Sequence, residues 1–555
     1  MDNGLLFRRL HHLHIKKLIL SIGILAVVLS LLHLFAFPYG NYLSIFPHDN
    51  VVSISSTNGS KPFSVNPKLT DSDSNLDQKI DSDHNLPSDD VGQVDTALEM
   101  KEINLNLVSI FEPEKPVLVL PKNLSLVHDK EPKIEGSDIS VTPISSALRK
   151  KGGKAMSITE MNSLLLVNSA EKKLKRPRLA SQRDRELQDA KYQILNAPIQ
   201  RSISQVHASL FRNYSMFVRS YELMESKFKV YIYREGEKPI FHNPYTRGIY
   251  ASEGWFMKLM EKNKQFAVKD PKKAHMFYLP FSSVKLRNAL NESGFRSQKD
   301  LENHLKKYVD IIATKYRFWN KRGGADHFLV ACHDWAPRST RKIFENCTRA
   351  LCNSNIAGGF KIGKDVSLPV TYIRSSENPL KDIEKNPSPN KTILAFFAGG
   401  MHGYVRPILL HYWQNKQPDM KIVGPMPRDI EGKAKYREFM KASKYCICAK
   451  GYEVHTPRVV ESIYYECVPV IISDNYVPPL FEVFDWESFA LFVLEKDIPN
   501  LREILLSVSE DRYAMMKRRL KMVQRYFFWH KIPEKYDLFH MILHSVWYSR
   551  VFRVL

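Results

Sequence analysis

The sequence has few histidines and carboxylates at the spacing that metal ligands require. His333 and Asp334 are adjacent, but no second histidine or carboxylate accompanies them at ligand spacing. Three further histidines (His11, His12 and His14) lie on the far side of a long apolar run. This scarcity argues against a metal centre, and we predict no metal site.

Acidic residues are also fewer than basic ones. The 555 residues include 81 lysines and arginines but 59 aspartates and glutamates, which gives a formal net charge of +22. This balance predicts anionic partners, namely nucleotide phosphates, acidic polysaccharide, nucleic acid or acidic lipid, and charge alone does not choose among them. The length and the 44% of hydrophobic residues are sufficient for several buried cores.

An apolar run at residues 18–37 has about the length needed to span a bilayer. Four basic residues precede it: Arg8, Arg9, Lys16 and Lys17. No comparable basic cluster follows closely, so the positive-inside rule predicts that residues 1–17 form a cytoplasmic tail. A cleaved signal peptide is the alternative, but the run lacks a good small-x-small cleavage site. We therefore predict a type II signal anchor with a lumenal head.

A lumenal head removes nucleic acid as a partner and makes Asn-x-Ser/Thr triplets candidates for glycosylation. The candidate acceptor residues are Asn58, Asn123, Asn213, Asn291, Asn346 and Asn390. The six cysteines would lie in an oxidising compartment, where disulfides can form, and six cysteines allow fifteen different sets of pairings. Cys347 and Cys352 flank a short polar loop and are the predicted disulfide. Cys446 and Cys448 share one strand face, so we predict no bond between them and interpret both as buried free thiols.

Residues 38–155 are rich in serine, aspartate, asparagine and proline and show no persistent helical or strand period. We predict a mostly disordered lumenal stem for this segment, because it has too little apolar surface to bury. Three parts follow it: an N-terminal domain at 156–385, a second domain at 386–505, and C-terminal helices at 506–555 that pack on the head.

Strand and helix patterns alternate through the head. Apolar strand-like runs at 228–233, 274–279 and 326–331 are separated by helical patterns, and this alternation predicts open α/β sheets. Towards the C-terminus, residues 502–527 predict one long basic helix and residues 539–547 another helix.

Ligands of open α/β sheets bind beyond the carboxyl ends of the strands. His333 and Asp334 follow the run at 326–331, so a general base for an acceptor hydroxyl is one hypothesis for this pair. The alternative is that Asp334 accepts hydrogen bonds from loop N–H groups while His333 packs on Trp335.

Residues 445–474 predict a strand, a glycine turn, a helix and a second strand. Thr456 is placed to cap the helix. Free N–H groups at the helix start, with Lys450 and Arg458 beside them, predict a phosphate site. The alternative is that Arg458 and Glu461 form an ordinary surface ion pair.

A second junction of the same kind follows the strand predicted at 391–397. Gly399, Gly400 and Gly403 form a loop there, and Arg406 lies in the first turn of the next helix, an arrangement suited to a diphosphate. A glycine turn by itself is common, but two such junctions in one domain favour nucleotide binding.

Several motifs together resemble plant members of the exostosin-type glycosyltransferase family. They are MSITEMN, FKVYIY, DPKKAHMFYLPFSS, GGADHFLVACHDWAP, FFAGGMHGYVRP and KGYEVHTPRVVESIYYECVPVIISD, and they extend over the whole head. The resemblance implies two Rossmann-like domains facing a cleft (GT-B type), a UDP-sugar donor on the C-terminal domain, inversion at the anomeric carbon and no obligatory cofactor. It also implies a Golgi enzyme that builds a plant cell-wall polysaccharide, pectin or hemicellulose, on a polysaccharide acceptor.

The resemblance assigns the nucleotide to Lys450, Gly451, Arg458 and Glu461, with Glu461 on the ribose. Arg406 and the glycine loop would then face the diphosphate.

The resemblance is less specific about the catalytic base. Asp334 is the first candidate, followed by His333 and Glu253.

This chain departs from the family pattern at two places near the expected donor. Tyr404 stands where relatives usually have proline, and His455-Thr456 replaces a usual Ala-Ser. These departures support an alternative hypothesis, a non-catalytic subunit that stabilises or anchors a Golgi glycosyltransferase complex. Homo- or hetero-oligomers with other glycosyltransferases are compatible with either hypothesis.

Overall fold

The computed structural model describes residues 155–171, 181–200, 204–292, 297–381, 383 and 390–553, all of which belong to one unit that extends from Lys133 to Leu555. The predicted tail, membrane anchor and nearly all of the predicted stem lie outside the described residues. Among the helices that are described, none is long and apolar enough to cross a membrane.

The predicted α/β class with parallel sheets is confirmed. The first sheet has six parallel strands in the order β2-β1-β3-β4-β5-β6. Its strands are β1 (Val230–Ile232), β2 (Ala267–Val268), β3 (Met276–Tyr278), β4 (His327–Ala331), β5 (Thr348–Leu351) and β6 (Val366–Ser367). β3, β4 and β5 are buried along their whole length, as expected for a parallel sheet covered on both faces.

Nine helices accompany this sheet in the described part of the chain. They are α1 (Ile158–Glu171), α2 (Gln182–Leu195), α3 (Gln205–Ala208), α4 (Tyr214–Lys227), α5 (Ala251–Lys262), α6 (Ser283–Glu292), α7 (Gln298–Lys315), α8 (Arg317–Arg322) and α9 (Ala336–Thr340). α7 shows why these segments are helical. Ser297 and Asp300 form a capping box at its start, and Leu301, Leu305 and Ile312 recur at helical spacing on its buried face.

The second sheet has five parallel strands in the order β11-β10-β9-β7-β8. Its strands are β7 (Ile393–Ala398), β8 (Met420–Val423), β9 (Ser443–Ala449), β10 (Val468–Ile472) and β11 (Leu491–Phe492). Its helices are α10 (Val405–Trp413), α11 (Ile430–Ala442) and α12 (Arg458–Tyr464). The strand–helix–strand unit predicted at 445–474 is therefore β9, α12 and β10.

The C-terminal segment differs from the prediction at one point. The single helix predicted at 502–527 is wrong, because the first helix ends at Leu506. The side chain of Ser509 then accepts a hydrogen bond from the N–H of Arg512 and caps a new helix. The helices here are α13 (Leu501–Leu506), α14 (Glu510–Val523) and α15 (Leu538–Phe552). α15 is almost entirely buried, with Trp547 packed 5.3 Å from the ring of Phe228.

The carboxyl ends of the two sheets face each other. Asn355, which follows β5, forms a β-bridge with Tyr476, which follows β10. On α1, Asn162 donates a hydrogen bond of 2.9 Å to Glu487, and the N–H of Met156 donates to Asn475. Residues that follow strands of the first sheet are therefore held close to residues that follow strands of the second.

The predicted disulfide between Cys347 and Cys352 is wrong. Cys352 is bonded to Cys332, with 4.6 Å between their Cα atoms, whereas Cys347 is a free buried thiol. The reason is strand register. Ala331 and Leu351 are paired neighbours on β4 and β5, so the residues that follow them meet at the carboxyl edge, while Cys347 precedes β5 at the opposite edge.

The interpretation of Cys446 as a free thiol is also wrong. Cys446 is bonded to Cys467, which immediately precedes β10 and lies opposite β9, with 5.6 Å between the two Cα atoms. Cys448 is free and buried.

Candidate functional site

The glycine loop after β7 is in contact with the turn after β9. Gly403 has a φ of +70°, and a Cβ at this position would collide with the carbonyl of Gly451. A Cβ at Gly399 would likewise collide with the guanidinium of Arg458. The two predicted phosphate-type junctions are thus brought together at one edge of the second sheet, and their close approach requires glycine at position 403, where the obstacle is backbone.

Two arginines occupy the space between these junctions. Arg406 is buried and donates hydrogen bonds to the carbonyls of Gly400 (3.0 Å) and Ala449 (3.4 Å). Arg458 donates to the carbonyl of Ala398, and its guanidinium lies 4.8 Å from the ring centroid of Phe397. Neither arginine forms an ion pair with a carboxylate of the described residues.

The two guanidinium groups repel each other. Burial and the charge of Arg458 together lower the pKa of Arg406 to about 10. The Nε of Arg458 is buried and has no hydrogen-bond partner within the described part of the chain. One buried and one half-buried cation with only uncharged partners among the described residues are costly, and a bound anion would offset that cost.

The start of α12 contributes less to the predicted phosphate site than the sequence indicated. α12 has seven residues, and its N-cap position is Pro457, which has no side-chain cap. Thr456 does not cap the helix, because its hydroxyl instead accepts a hydrogen bond of 3.4 Å from Arg458. The positive charge at this edge therefore comes mainly from the arginine side chains.

Lys450 is not a free cation. Its ammonium group lies 2.6 Å from a carboxylate oxygen of Glu495 and 2.8 Å from the hydroxyl of Tyr404. Burial alone would lower the pKa of Lys450, but its hydrogen bonds to Glu495 and Tyr404 raise it overall. Glu495 was missed in the sequence because it lies in a distant segment after β11 with no motif around it.

Glu461 is held inside the second sheet's helical layer. Its carboxylate accepts a hydrogen bond of 3.0 Å from the hydroxyl of Tyr436, and burial raises its pKa. The alternative of an Arg458–Glu461 surface pair does not describe this geometry, since the Arg458 guanidinium donates to the carbonyl of Ala398 and to the hydroxyl of Thr456. The ribose role of Glu461 stays a prediction.

Across from the arginines, Asp334 follows β4 on the first sheet. One of its carboxylate oxygens lies 3.2 Å from Nε2 of His455, and 34% of its side chain is exposed. Burial raises the pKa of Asp334, but hydrogen bonds from His455 and Tyr250 outweigh this effect and lower it. Asp334 is therefore ionised and accessible, as a base that accepts a hydroxyl proton must be.

His333 is a poorer base in this geometry. Its Nδ1 already accepts a hydrogen bond of 3.1 Å from the N–H of Trp335, and burial lowers its pKa to about 4. Its ring lies 5.2 Å from that of Tyr250 and 6.5 Å from that of Trp335, so the packing alternative describes His333 well.

Glu253 lies within the protein, 1% exposed. It accepts hydrogen bonds from the N–H of Cys332 (2.8 Å) and from the hydroxyl of Ser283, and burial raises its pKa. These contacts join α5 and α6 to the end of β4. Glu253 thus orients the strand that carries Asp334.

Two polar side-chain contacts join the sheets at this cleft. His455 of the second sheet contacts Asp334 of the first, and Glu453 lies 3.5 Å from Arg338. Since His455 is three residues before Arg458, the candidate base and the two arginines lie at one cleft between the two sheets. His455 entered the sequence analysis only as a departure from a family pattern, and the local sequence carries no signal of its contact with Asp334.

The remaining predicted sites are the glycosylation candidates, which are exposed on the surface or lie outside the described residues. The exposed glycosylation candidates are Asn213, Asn291, Asn346 and Asn390. Asn58 and Asn123 lie outside the described residues, and glycosylation stays a prediction at all six. In the described part of the chain, no group of three or more His, Cys, Asp or Glu side chains is arranged to hold a metal ion.

Comparison with known proteins gives this geometry a context. Residues 224–508 match the model of the Exostosin GT47 domain. Two probable glycosyltransferases of Arabidopsis thaliana are 44% and 41% identical to the chain; each alignment covers 62% of this chain, and 66% and 72% of the relatives. A probable glucuronoxylan glucuronosyltransferase of the same plant is 30% identical over 50% of this chain and 63% of its own length. The crystal structure of TarM aligns over 39% of this chain and 53% of its own at 11% identity and a TM-score of 0.21, too low to inform the fold.

Proposed function

This chain belongs to the Exostosin GT47 family and is a glycosyltransferase, and from that premise we propose that it transfers a sugar from a UDP-sugar to a plant cell-wall polysaccharide, pectin or hemicellulose, with inversion. In this proposal the two sheets form a GT-B arrangement. The second sheet holds the nucleotide, and the first sheet presents the acceptor.

The observation that carries the proposal is the pair of arginines, Arg406 and Arg458, which have no carboxylate partner within the part of the chain that the structure describes. A UDP leaving group develops negative charge on its diphosphate, and preorganised cations stabilise that charge in the transition state. The glycines around them let the loop after β7 approach the turn after β9 closely, which keeps both guanidinium groups at one edge of the sheet. No obligatory cofactor is part of the proposal.

Asp334 is the proposed base. Its carboxylate accepts the proton of the acceptor hydroxyl while that oxygen bonds to the anomeric carbon, and the bond from the anomeric carbon to the diphosphate oxygen breaks. UDP leaves with the electron pair of the broken bond. A single displacement of this kind inverts the anomeric centre, and it needs base and donor on opposite sides of the cleft, where Asp334 and the arginines lie.

The cellular setting forms part of the same proposal. A signal anchor at 18–37 would place the head in the Golgi lumen, where nucleotide sugars and nascent wall polysaccharide meet. Protection of the head from protease in sealed microsomes is the expected result, whereas digestion of the head without detergent would contradict this orientation.

The deciding experiment is binding and turnover of UDP-sugars by the full-length protein, with UDP-glucuronate included because one relative is named a glucuronosyltransferase. We expect UDP to bind and one donor to be consumed in the presence of polysaccharide acceptor. Asp334→Asn should lower turnover by on the order of 10²–10⁴-fold while leaving UDP affinity unchanged. Absence of UDP binding at millimolar concentration would overturn the proposed donor, and near-normal turnover by Asp334→Asn would overturn the proposed base.

A further inference from the structure

A groove unrelated to the donor cleft opens beside the edge of the first sheet. Its volume is about 420 Å³, within the range of small-ligand sites. It is formed by the carboxyl end of β1, the end of α5 and the short strand β2. The residues that matter for the argument are Arg234, His242, Glu261, Lys264 and Lys269.

The charge of this groove is positive. Arg234, Lys264 and Lys269 are exposed, and none of them forms an ion pair with a carboxylate of the described residues. Glu261 is the one acidic side chain among the described lining residues, and it is already engaged by His242 at 2.8 Å. The hydrogen bond to Glu261 raises the pKa of His242, so the histidine adds positive charge at mildly acidic pH. An incoming anion would thus meet three unpaired cations.

The backbone around His242 is held in an unusual conformation. Its φ is +53°, in the left-handed region that residues other than glycine rarely adopt. The N–H of His242 donates to the carbonyl of Pro280, which follows β3, and its Nε2 lies 3.3 Å from the carbonyl of Glu235, which follows β1. Strain of this kind persists where the surroundings impose it, and it recurs at ligand sites.

One end of the groove, at Arg234 and Lys269, lies on the same edge of the sheet as Asp334, because these two residues follow β1 and β2. β1 is separated from β4 by β3 alone, and all three strands are parallel, so their carboxyl ends are aligned. At a strand spacing of about 4.8 Å, the end of β1 is roughly 10 Å from the end of β4. A short oligosaccharide can extend over that distance.

The geometry points to a subsite for the carboxylates of an acidic, uronate-containing acceptor chain, held by Arg234, Lys264 and Lys269 while its terminal sugar reacts at Asp334. This inference rests on the transfer activity proposed above and adds the class of acceptor. Lys264 precedes β2 and Lys269 follows it, so the cations are distributed along the groove. That distribution suits charges repeated along a polymer better than one compact phosphate group.

The test uses the full-length protein and an oligogalacturonate as probe, with the same oligomer fully methyl-esterified as the neutral comparison. The double variant Lys264→Gln/Lys269→Gln removes two groove cations. Lys262→Gln/Lys272→Gln is the matched control, because both lysines are exposed neighbours outside the groove and the change in net charge is the same.

We expect the groove variant to bind oligogalacturonate about tenfold more weakly than wild type, with the control within about twofold. The wild-type preference for the acid over the ester should weaken as salt rises, since exposed charges are screened. Arg234→Gln, on a different element, provides an independent variant if the double variant has a lowered melting temperature.

Three results would overturn the inference: equal binding by groove and control variants, equal binding of acid and ester by wild type, or weaker UDP binding in the groove variant. The last would assign the groove to nucleotide phosphate. UDP titration also separates this inference from the proposed function. If the protein binds oligogalacturonate but not UDP, the assignment of the donor is refuted and the groove inference stands. If it binds UDP but not oligogalacturonate, the groove inference alone is refuted.

Discussion

The sharpest expectation concerns removal of the charge of Arg458 or Arg406. A hydrogen bond between an arginine and a phosphate is charge-assisted and contributes roughly 1.5–3 kcal/mol, which corresponds to about ten- to hundredfold in affinity. Arg406 is buried, whereas Arg458 is half-buried and more screened. Arg406→Gln should therefore weaken UDP binding towards the upper end of that range, and Arg458→Gln towards the lower end.

The two arginines should not act independently. Both guanidinium groups lie near the ring of Phe397, at 6.0 and 4.8 Å from its centroid, and the positive charge of Arg458 contributes to the lowered pKa of Arg406. In the double variant the losses should fall short of the sum of the single losses, because the first substitution relieves repulsion on the remaining guanidinium. Arg406→Lys separates charge from geometry. It keeps the cation but loses the planar donor set, so we expect an intermediate affinity.

Calorimetric titration of the full-length protein with UDP measures these effects. Arg512→Gln on the exposed face of α14 is the control, because it removes the same charge from a helix that carries none of the cleft residues. It should leave the affinity for UDP within about twofold of wild type. A folded Arg406→Gln variant that binds UDP as tightly as wild type would refute the assignment of the diphosphate to this cation pair.

Two further expectations concern the base and the covalent framework. His455→Ala removes a hydrogen bond that lowers the pKa of Asp334, so the acid limb of the pH profile of kcat/KM should move to higher pH. His455→Gln keeps a hydrogen-bond donor and should return the limb part of the way towards its wild-type position. An acid limb that does not move in His455→Ala would show that His455 does not influence the base. Replacement of both Cys332 and Cys352 by alanine should lower the unfolding free energy by about 3 kcal/mol, given their sequence separation of 20, and a melting temperature equal to wild type would contradict the bond. Cys347→Ala leaves that bond intact and is the matched control.

The sequence predicted those features that depend on neighbouring residues. The alternation of apolar runs with helical patterns indicated parallel α/β sheets, because the spacing of apolar residues within each element determines which of its faces is buried. The glycine junctions and the arginines beside them were visible for the same reason. Gly403 lies in the loop between β7 and α10, and Arg406 lies in the first turn of α10, where local geometry decides the backbone.

Other features depend on pairs that are far apart in the chain. The partner of Lys450 is Glu495, and the partner of Asp334 is His455, and no local pattern marks either pair. Glu253 was a plausible base from the sequence, but its burial against Cys332 is a consequence of how α5 packs on β4.

The disulfides show the division most clearly. By spacing alone, Cys347 and Cys352 are close, yet they lie at opposite ends of β5, while Cys332 is brought beside Cys352 by strand register. Local sequence determined which segments form strands and where glycine and arginine end them. Which strand ends meet, which charges are paired and which cations remain unpaired were decided by tertiary packing, because those contacts join residues that only the order of strands in the sheets brings together.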